Sequence, residues 1–309
     1  MVDWHRCSQA GQTGNPRTHL AGPTSTSLGL RRAVNAPDDA PKGDDPLERH
    51  RVKSEEVIAS RNEAAIKRLY IELGRDFWEV AERRSDYEVP VLSAPESLSA
   101  VTDALASTGG LILDAGCGPN PAVAIALARD PSRSIVALDL GWGMVRTAKS
   151  VAEREGQRLV AVAGDVERLP FRRGAFAGLV CDDTIEHLPN DEAGMRELAR
   201  VLSPRGRALL ATPNRHSAAV LWMKLHDWAR GVRKTARDYF VASSHLREYT
   251  WPDFERLVSQ FFVIERRRPV GWRSGRKRRA ITRLFWLPGL SRMSQVIVLQ
   301  CHPRSNESM

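Results

Sequence analysis

From Gly109 to Asn214 the chain alternates short apolar runs with amphipathic ones, a rhythm that few architectures satisfy. The apolar runs are LILDAG, SIVALDL, LVAVAGD, GLVCDD and RALLATPN. Between them lie AVAIALA, MVRTAKSVAERE and DEAGMRELARVL, the last stopped by Pro204 and Gly206. Strands separated by helical segments imply a parallel sheet built from right-handed crossovers. Near the end, FFVIERRRP and SQVIVLQCHP predict two further strands, the second antiparallel at or near the sheet edge. The expectation is an α/β fold: one open, doubly wound, mostly parallel sheet of seven strands.

The flanks read differently. Residues 1–48 are rich in Gly, Pro, Ser, Thr, Asn and Asp without an apolar period, and are expected to form a disordered tail. Residues 49–108 form a helical lead, in which Val57, Ile58, Ala65, Ile66, Leu69, Leu73 and Phe77 recur at three- and four-residue steps. Pro90 and Pro95 punctuate it, and Glu96 to Ser107 predicts one more short helix. The main domain is then 109–302, with an insertion at 217–247 after the fifth strand and a short disordered tail at 303–309.

Composition narrows the setting. No stretch approaches the roughly 18 apolar residues that span a bilayer, and the N-terminus lacks the apolar core of a secretory signal. Cys7, Cys117, Cys181 and Cys301 show no paired spacing, so a reduced, cytoplasmic location is expected rather than a disulfide framework. The formal charge of +9 is matched by nine basic residues between Arg266 and Arg283, a segment with no acid. That segment is either a solvated face or a contact for phosphate-bearing or anionic ligands.

In a doubly wound sheet, ligands bind outside the carboxyl ends of the strands. The first strand ends in Asp114 and a turn carrying Gly116 and Gly118, with Asn120 as expected helix cap and Pro121 as first helical residue. The second ends at Asp139, placed to accept from a ribose diol. The third ends at Gly164-Asp165, followed by Leu169-Pro170-Phe171, and the fourth at Asp182-Asp183 before Thr184-Ile185-Glu186-His187-Leu188-Pro189. A nicotinamide fingerprint needs a third glycine where this chain has Pro121. Nor does it explain the acid before the first glycine or Asp165.

The segments LILDAGCGPN, VALDLGWGMVRTAK, GDVERLPF and IEHLPN, in this order and spacing, resemble the class I S-adenosylmethionine-dependent methyltransferases. The resemblance is closest to the ubiquinone/menaquinone-pathway branch with its type 11-like, Rossmann-like domain. It covers Gly109 to Pro213, more weakly to His302. It implies S-adenosyl-L-methionine as cofactor, with Gly116 and Gly118 along the methionine end and Asp114 holding its amino group. Asp139 would bind the ribose hydroxyls, Asp165 and the Val166 amide the adenine, and Leu140 and Leu169 would wall the ring; Asp182 joins this cofactor set. Asn120 stands where a third glycine is frequent in the family, and Leu140-Gly141 replaces a polar pair.

Methyl transfer to a hydroxyl requires a base, and Asp183, Glu186, His187 and His245 are the candidates. No Asn/Asp-Pro-Pro-Tyr-like segment follows the fourth strand, which argues against amino-group methylation of adenine or glutamine. Asp183, Glu186 and His187 have the spacing D-x-x-E-H. A related E-x-x-E-H with a later histidine, here His245, holds a divalent metal in two similar methyltransferase groups, so magnesium or manganese is a second reading. Leu221, Leu225, Trp228 and Val232 share one face of the insertion, with Lys224, Arg230, Arg233, Lys234 and Arg237 around the rest. This predicts a cover helix packed on the core, with peripheral membrane contact as the alternative. The leading function is methylation of a small-molecule acceptor. The alternatives are an RNA methyltransferase using the basic segment, for which no KH or RRM signature appears, and a non-catalytic cofactor-binding scaffold.

Overall fold

A computed structural model describes residues 56–83, 98, 102–231, 245–270 and 296–304. The tail expected at 1–48, residues 305–309 of the tail expected at 303–309, residues 232–244 of the insertion and residues 271–283 of the basic segment lie outside the described residues. The tail expectation is corrected at its start: Pro303 pairs with Phe262 in the sheet, and the Arg304 amide donates to the Phe261 carbonyl at 3.1 Å. The described chain runs as α1 (Glu63–Arg83), β1 (Gly110–Ala115), α2 (Ala122–Ala128), β2 (Arg133–Asp139), α3 (Trp142–Arg154) and β3 (Val160–Ala163). It continues with a short 3-10 turn (Val166–Arg168), β4 (Phe176–Asp182), a second such turn (Ile185–His187), α4 (Asp191–Val201) and β5 (Leu202–Pro213). Then come α5 (Ala218–Ala229), α6 (Trp251–Ser259), β6 (Phe262–Val270) and β7 (Val296–Pro303).

The expected seven-stranded sheet forms in the order β3-β2-β1-β4-β5-β7-β6. The first five strands are parallel, and β7 inserts antiparallel between β5 and the outer strand β6. Strand order reverses at β1, so β1 and β4 diverge around one crevice at their carboxyl ends. The alternation of side chains splits the core in two. Leu113, Leu138 and Leu210 pack on one face with Met195, Leu198 and Phe254. Ile112, Ile135 and Leu209 pack on the other with Ala124, Leu127 and Val145. Both faces are covered, which is why the parallel strands read as continuous apolar runs.

Two local expectations are corrected. Helix α2 begins at Ala122, with Pro121 rather than Asn120 in the cap position, because the Ala122 amide already donates to the Asn120 carbonyl at 2.9 Å. Pro204 and Gly206, expected to stop α4, lie inside β5: α4 ends at Val201, β5 begins at Leu202, and Phe176 pairs with Leu202 before the register shifts to Gly178–Arg207. In the helical lead, Ile66, Leu69 and Phe77 of the stripe are buried, Leu73 is half-buried, and Val80 extends the buried face beyond it. The sequence stripe does not register Gly74, which is buried against α3: a Cβ on Gly143 would lie 2.2 Å from the Gly74 carbonyl oxygen.

Candidate active site

The crevice floor is the β1–α2 turn. Gly116 and Gly118 have φ of 82° and 60°, a region that side chains disfavour. Gly116 also faces Thr184, whose Oγ1 would lie 2.1 Å from an added Cβ. The Gly118 amide donates to Asp139 Oδ2 at 3.0 Å, linking the first two strand ends. Asp114 lies buried behind this turn and accepts from the Ala124 amide of α2. Burial, then the Asp182 and Asp139 carboxylates, push Asp114 up to about 7. Burial also raises Asp139, opposed by the Gly118, Gly141 and Leu140 amides.

The third strand end supplies Asp165, whose Oδ1 accepts from the Glu167 amide at 2.9 Å and so caps the short turn. Val166 and Leu169 are buried beside it, and the Leu169 amide donates to Glu197 Oε2 at 2.8 Å. Leu140 is half-buried at the start of the β2–α3 connection. Leu140 follows the end of β2 and Leu169 follows the turn after β3, and those two strands are neighbours in the sheet.

The fourth strand end carries a cluster of buried and half-buried titratable groups. Asp182 and Glu186 are buried, and Asp183 adopts a left-handed φ of 48°. Burial, then the neighbouring carboxylates, hold Asp183 well above the usual range. Burial raises Glu186 to about 8, against the pull of a Thr212 hydroxyl that donates to its Oε2 at 3.0 Å. Glu186 Oε1 and Asp183 Oδ1 are buried without a hydrogen-bond partner among the described residues. His245 is brought to this loop because the Leu246 amide donates to the Glu186 carbonyl at 3.0 Å and Arg247 donates to the Leu188 and Pro189 carbonyls. Its Nε2 lies 3.7 Å from Glu186 Oε1, and its ring packs edge-on against His187 with centroids 4.9 Å apart. Burial, then His187, push His245 down to about 3, so it is neutral at physiological pH.

One ligand atom each from Glu186, His187 and His245 lie within 4.8 Å of one another, spacing that suits a divalent cation. Asp183 is not a member of that group. The residues also fit a cationic organic cofactor. Burial first, and then neighbouring carboxylates, raise Asp114, Asp183 and Glu186, and a sulfonium with an ammonium would relieve that repulsion.

Sequence reasoning missed four residues here: Lys67, Tyr70, Thr184 and Thr212. The Tyr70 hydroxyl and His187 Nδ1 are 2.9 Å apart, and Lys67 Nζ is 2.8 Å from Asp165 Oδ2. Two expectations about the rim change. Leu221, Leu225 and Trp228 of α5 are exposed at 41%, 63% and 77%, so this face does not pack on the described core. The helix is rotated so that Val220, with the capping Ser217, turns inward instead. Of the basic segment, Arg267 is paired with Glu255 and Arg268 with Asp103, so part of it serves the fold.

Comparison with known proteins matches residues 112–206 to a family model described as a methyltransferase domain. The malonyl-[acyl-carrier protein] O-methyltransferase of Geobacter sulfurreducens is 43% identical over 135 residues, 42% of this chain and 50% of that protein. The chain thus spans half the length of that relative. A ubiquinone biosynthesis O-methyltransferase of Coxiella burnetii is 23% identical over 207 residues, 62% of this chain and 86% of that protein. Among solved structures, the magnesium protoporphyrin IX methyltransferase of Synechocystis PCC 6803 with bound SAH superposes with a TM-score of 0.50 at 17% identity. That match covers 79% of this chain and all of the other, and the likeness is one of fold.

Proposed function

We propose that this chain, whose residues 112–206 match a methyltransferase domain, is a class I S-adenosylmethionine-dependent methyltransferase that methylates a hydroxyl oxygen of a small-molecule acceptor. The observation that carries the hydroxyl assignment is the cluster of buried Glu186 with the half-buried His187 and His245 at the crevice. An amine can attack a methyl group without first losing a proton, whereas a hydroxyl needs a base in reach. Both relatives named above are described as O-methyltransferases, which supports the same acceptor atom.

When bound, the cofactor supplies an electrophilic methyl group on a sulfonium. Asp114, Asp139 and Asp165 would bind its ammonium, ribose diol and adenine amino group, and the Gly116–Gly118 turn would let the backbone approach its methionine end. Tyr70 contacts Nδ1 of His187, which leaves Nε2 to take the acceptor's hydroxyl proton as the oxygen attacks in line. The neutral His245 packs edge-on against the His187 ring, and Thr212 holds Glu186 beside the pair.

The test is turnover of the full chain with S-adenosylmethionine and a panel of phenols, alcohols, carboxylic acids and amines. Methylated oxygen products that disappear in His187→Ala are expected. Cofactor binding without turnover on any acceptor would favour the scaffold function, and products confined to amines would overturn the hydroxyl assignment.

A second reading is favoured by the spacing of Glu186, His187 and His245: these residues would hold a divalent metal that acidifies the acceptor hydroxyl. Stoichiometric magnesium or manganese in purified protein, and loss of turnover in excess chelator, are expected on that reading. Full turnover in chelator would end it.

A further inference from the structure

Helix α1 lies wholly outside the matched domain, yet its polar face reaches the crevice at both ends. Lys67 Nζ sits 2.8 Å from Asp165 Oδ2 and 2.7 Å from both Glu167 Oε2 and Glu63 Oε1. Three residues later on the same helix, Tyr70 meets His187. The contact of Gly74 with Gly143 holds α1 close against α3, and Arg146 stacks 4.1 Å over the Trp78 ring across the same seam. Lys67 is thus delivered to Asp165 by a helix docked along its length.

The chemistry of the cluster points one way. Asp165 Oδ1 is committed to the Glu167 amide, and Glu167 Oε1 accepts from the Asn190 amide at 2.6 Å. The Asp165 and Glu167 carboxylates converge on the single ammonium of Lys67, and the Glu167 side chain is only 6% exposed. Burial works against the ammonium's charge, but the hydrogen bonds to Asp165, Glu167 and Glu63 prevail and hold it protonated. Without that cation, the two carboxylates would face each other and Asp165 would turn away. That movement spoils an acceptor for an adenine amino group.

We propose that Lys67 is a cofactor-positioning residue: acting through Asp165, it pins the carboxylate in the rotamer that receives the adenine amino group. Recognition of the base is then completed from outside the methyltransferase domain. This rests on the methyltransferase reading, in which Asp165 meets adenine.

Isothermal titration of the full chain with S-adenosylhomocysteine, and with its 6-oxo analogue S-inosylhomocysteine, tests it. Wild type should prefer the amino form by about a hundredfold or more, because a site built to accept from an amino group rejects an analogue lacking it. Lys67→Met should cut that preference by about tenfold, Lys67→Gln similarly, and Lys67→Arg should restore most of it. In an Asp165→Asn background, Lys67→Met should change the preference little further. A folded Lys67→Met that keeps the wild-type preference would overturn the role of Lys67 alone. A wild type that binds neither compound would overturn the methyltransferase reading, and the proposal with it.

Discussion

The Tyr70 hydroxyl lies 2.9 Å from His187 Nδ1, joining the helical lead to the loop after β4. Burial, with the Glu186 and Asp139 carboxylates, keeps the Tyr70 phenol protonated and un-ionised. The base role proposed for His187 needs a lone pair on Nε2 and hence the tautomer with its proton on Nδ1; a protonated phenol can donate to Nδ1 or accept from it, and the proposed role requires that the Tyr70 oxygen accept. Nitrogen-15 NMR of His187 should show that tautomer in wild type and a shift toward protonated Nε2 in Tyr70→Phe. Methyl transfer should fall by about 10–100-fold in the variant, the usual effect of removing a group that orients such a histidine. Protonated Nε2 in the wild-type resting enzyme would remove His187 from the role of base.

Gly116 is required twice over. Its φ of 82° costs a side chain about 1–2 kcal/mol, and its neighbour Thr184 leaves a Cβ no room, with Oγ1 at 2.1 Å and Cγ2 at 2.4 Å. Gly116→Ala should therefore cost about 3 kcal/mol or more in chemical denaturation. Adding Thr184→Ala should recover part of this and leave the backbone strain. A loss under about 0.5 kcal/mol in the single variant would show that the turn can relax.

What was legible in the sequence and what was not divide along the reach of local rules. Asp114, Asp139 and Asp165 could be found because each closes an apolar run at a switch to helical period, and such ends share one rim of a parallel sheet. His245 was reachable only through the resemblance, since 58 positions separate it from His187 and no local pattern predicts that Leu246 will bond the Glu186 carbonyl. Lys67 and Tyr70 look like ordinary polar residues beside an apolar stripe. Their function depends on the approach of α1 to α3, which the absence of side chains at Gly74 and Gly143 allows. The exposed face of α5 was misread for a related reason. Helical periodicity identifies an apolar stripe, but packing decides which stripe turns inward, and here Val220 lies inward while Leu225 faces out.

That orientation makes a simple contrast. Val220 is buried, so Val220→Ser should cost about 2 kcal/mol through lost burial and a buried hydroxyl. Leu225 and Trp228 are exposed at 63% and 77%, and replacing either with Ser should change stability by no more than about 0.5 kcal/mol. Denaturant melts of the three variants measure this directly. A large loss at Trp228 with none at Val220 would mean that the helix is turned the other way.

Asp114 should make cofactor binding depend on pH. Its carboxyl is pushed up to about 7 from an ordinary 3.8, chiefly by burial and then by Asp182 and Asp139. A cofactor ammonium favours the ionised form, so below pH 7 binding must expel a proton, and affinity for S-adenosylhomocysteine should fall as the pH falls. The slope should approach about one decade per pH unit below the folded value and flatten above it. Calorimetry at pH 6 in buffers of different ionisation enthalpy should detect the released proton, and Asp114→Asn should abolish the release while binding more weakly. Folding stability runs in the opposite direction. The folded state holds the proton that the unfolded chain loses near 3.8, so this contribution is fully present below that pH and is lost as pH rises through about 7. Asp114→Asn should therefore gain on wild type in melts above pH 7 and lose the advantage near pH 4. If wild-type affinity is flat between pH 5.5 and 8 and its stability shows no such fall, Asp114 is already ionised in the free enzyme and the proton linkage fails.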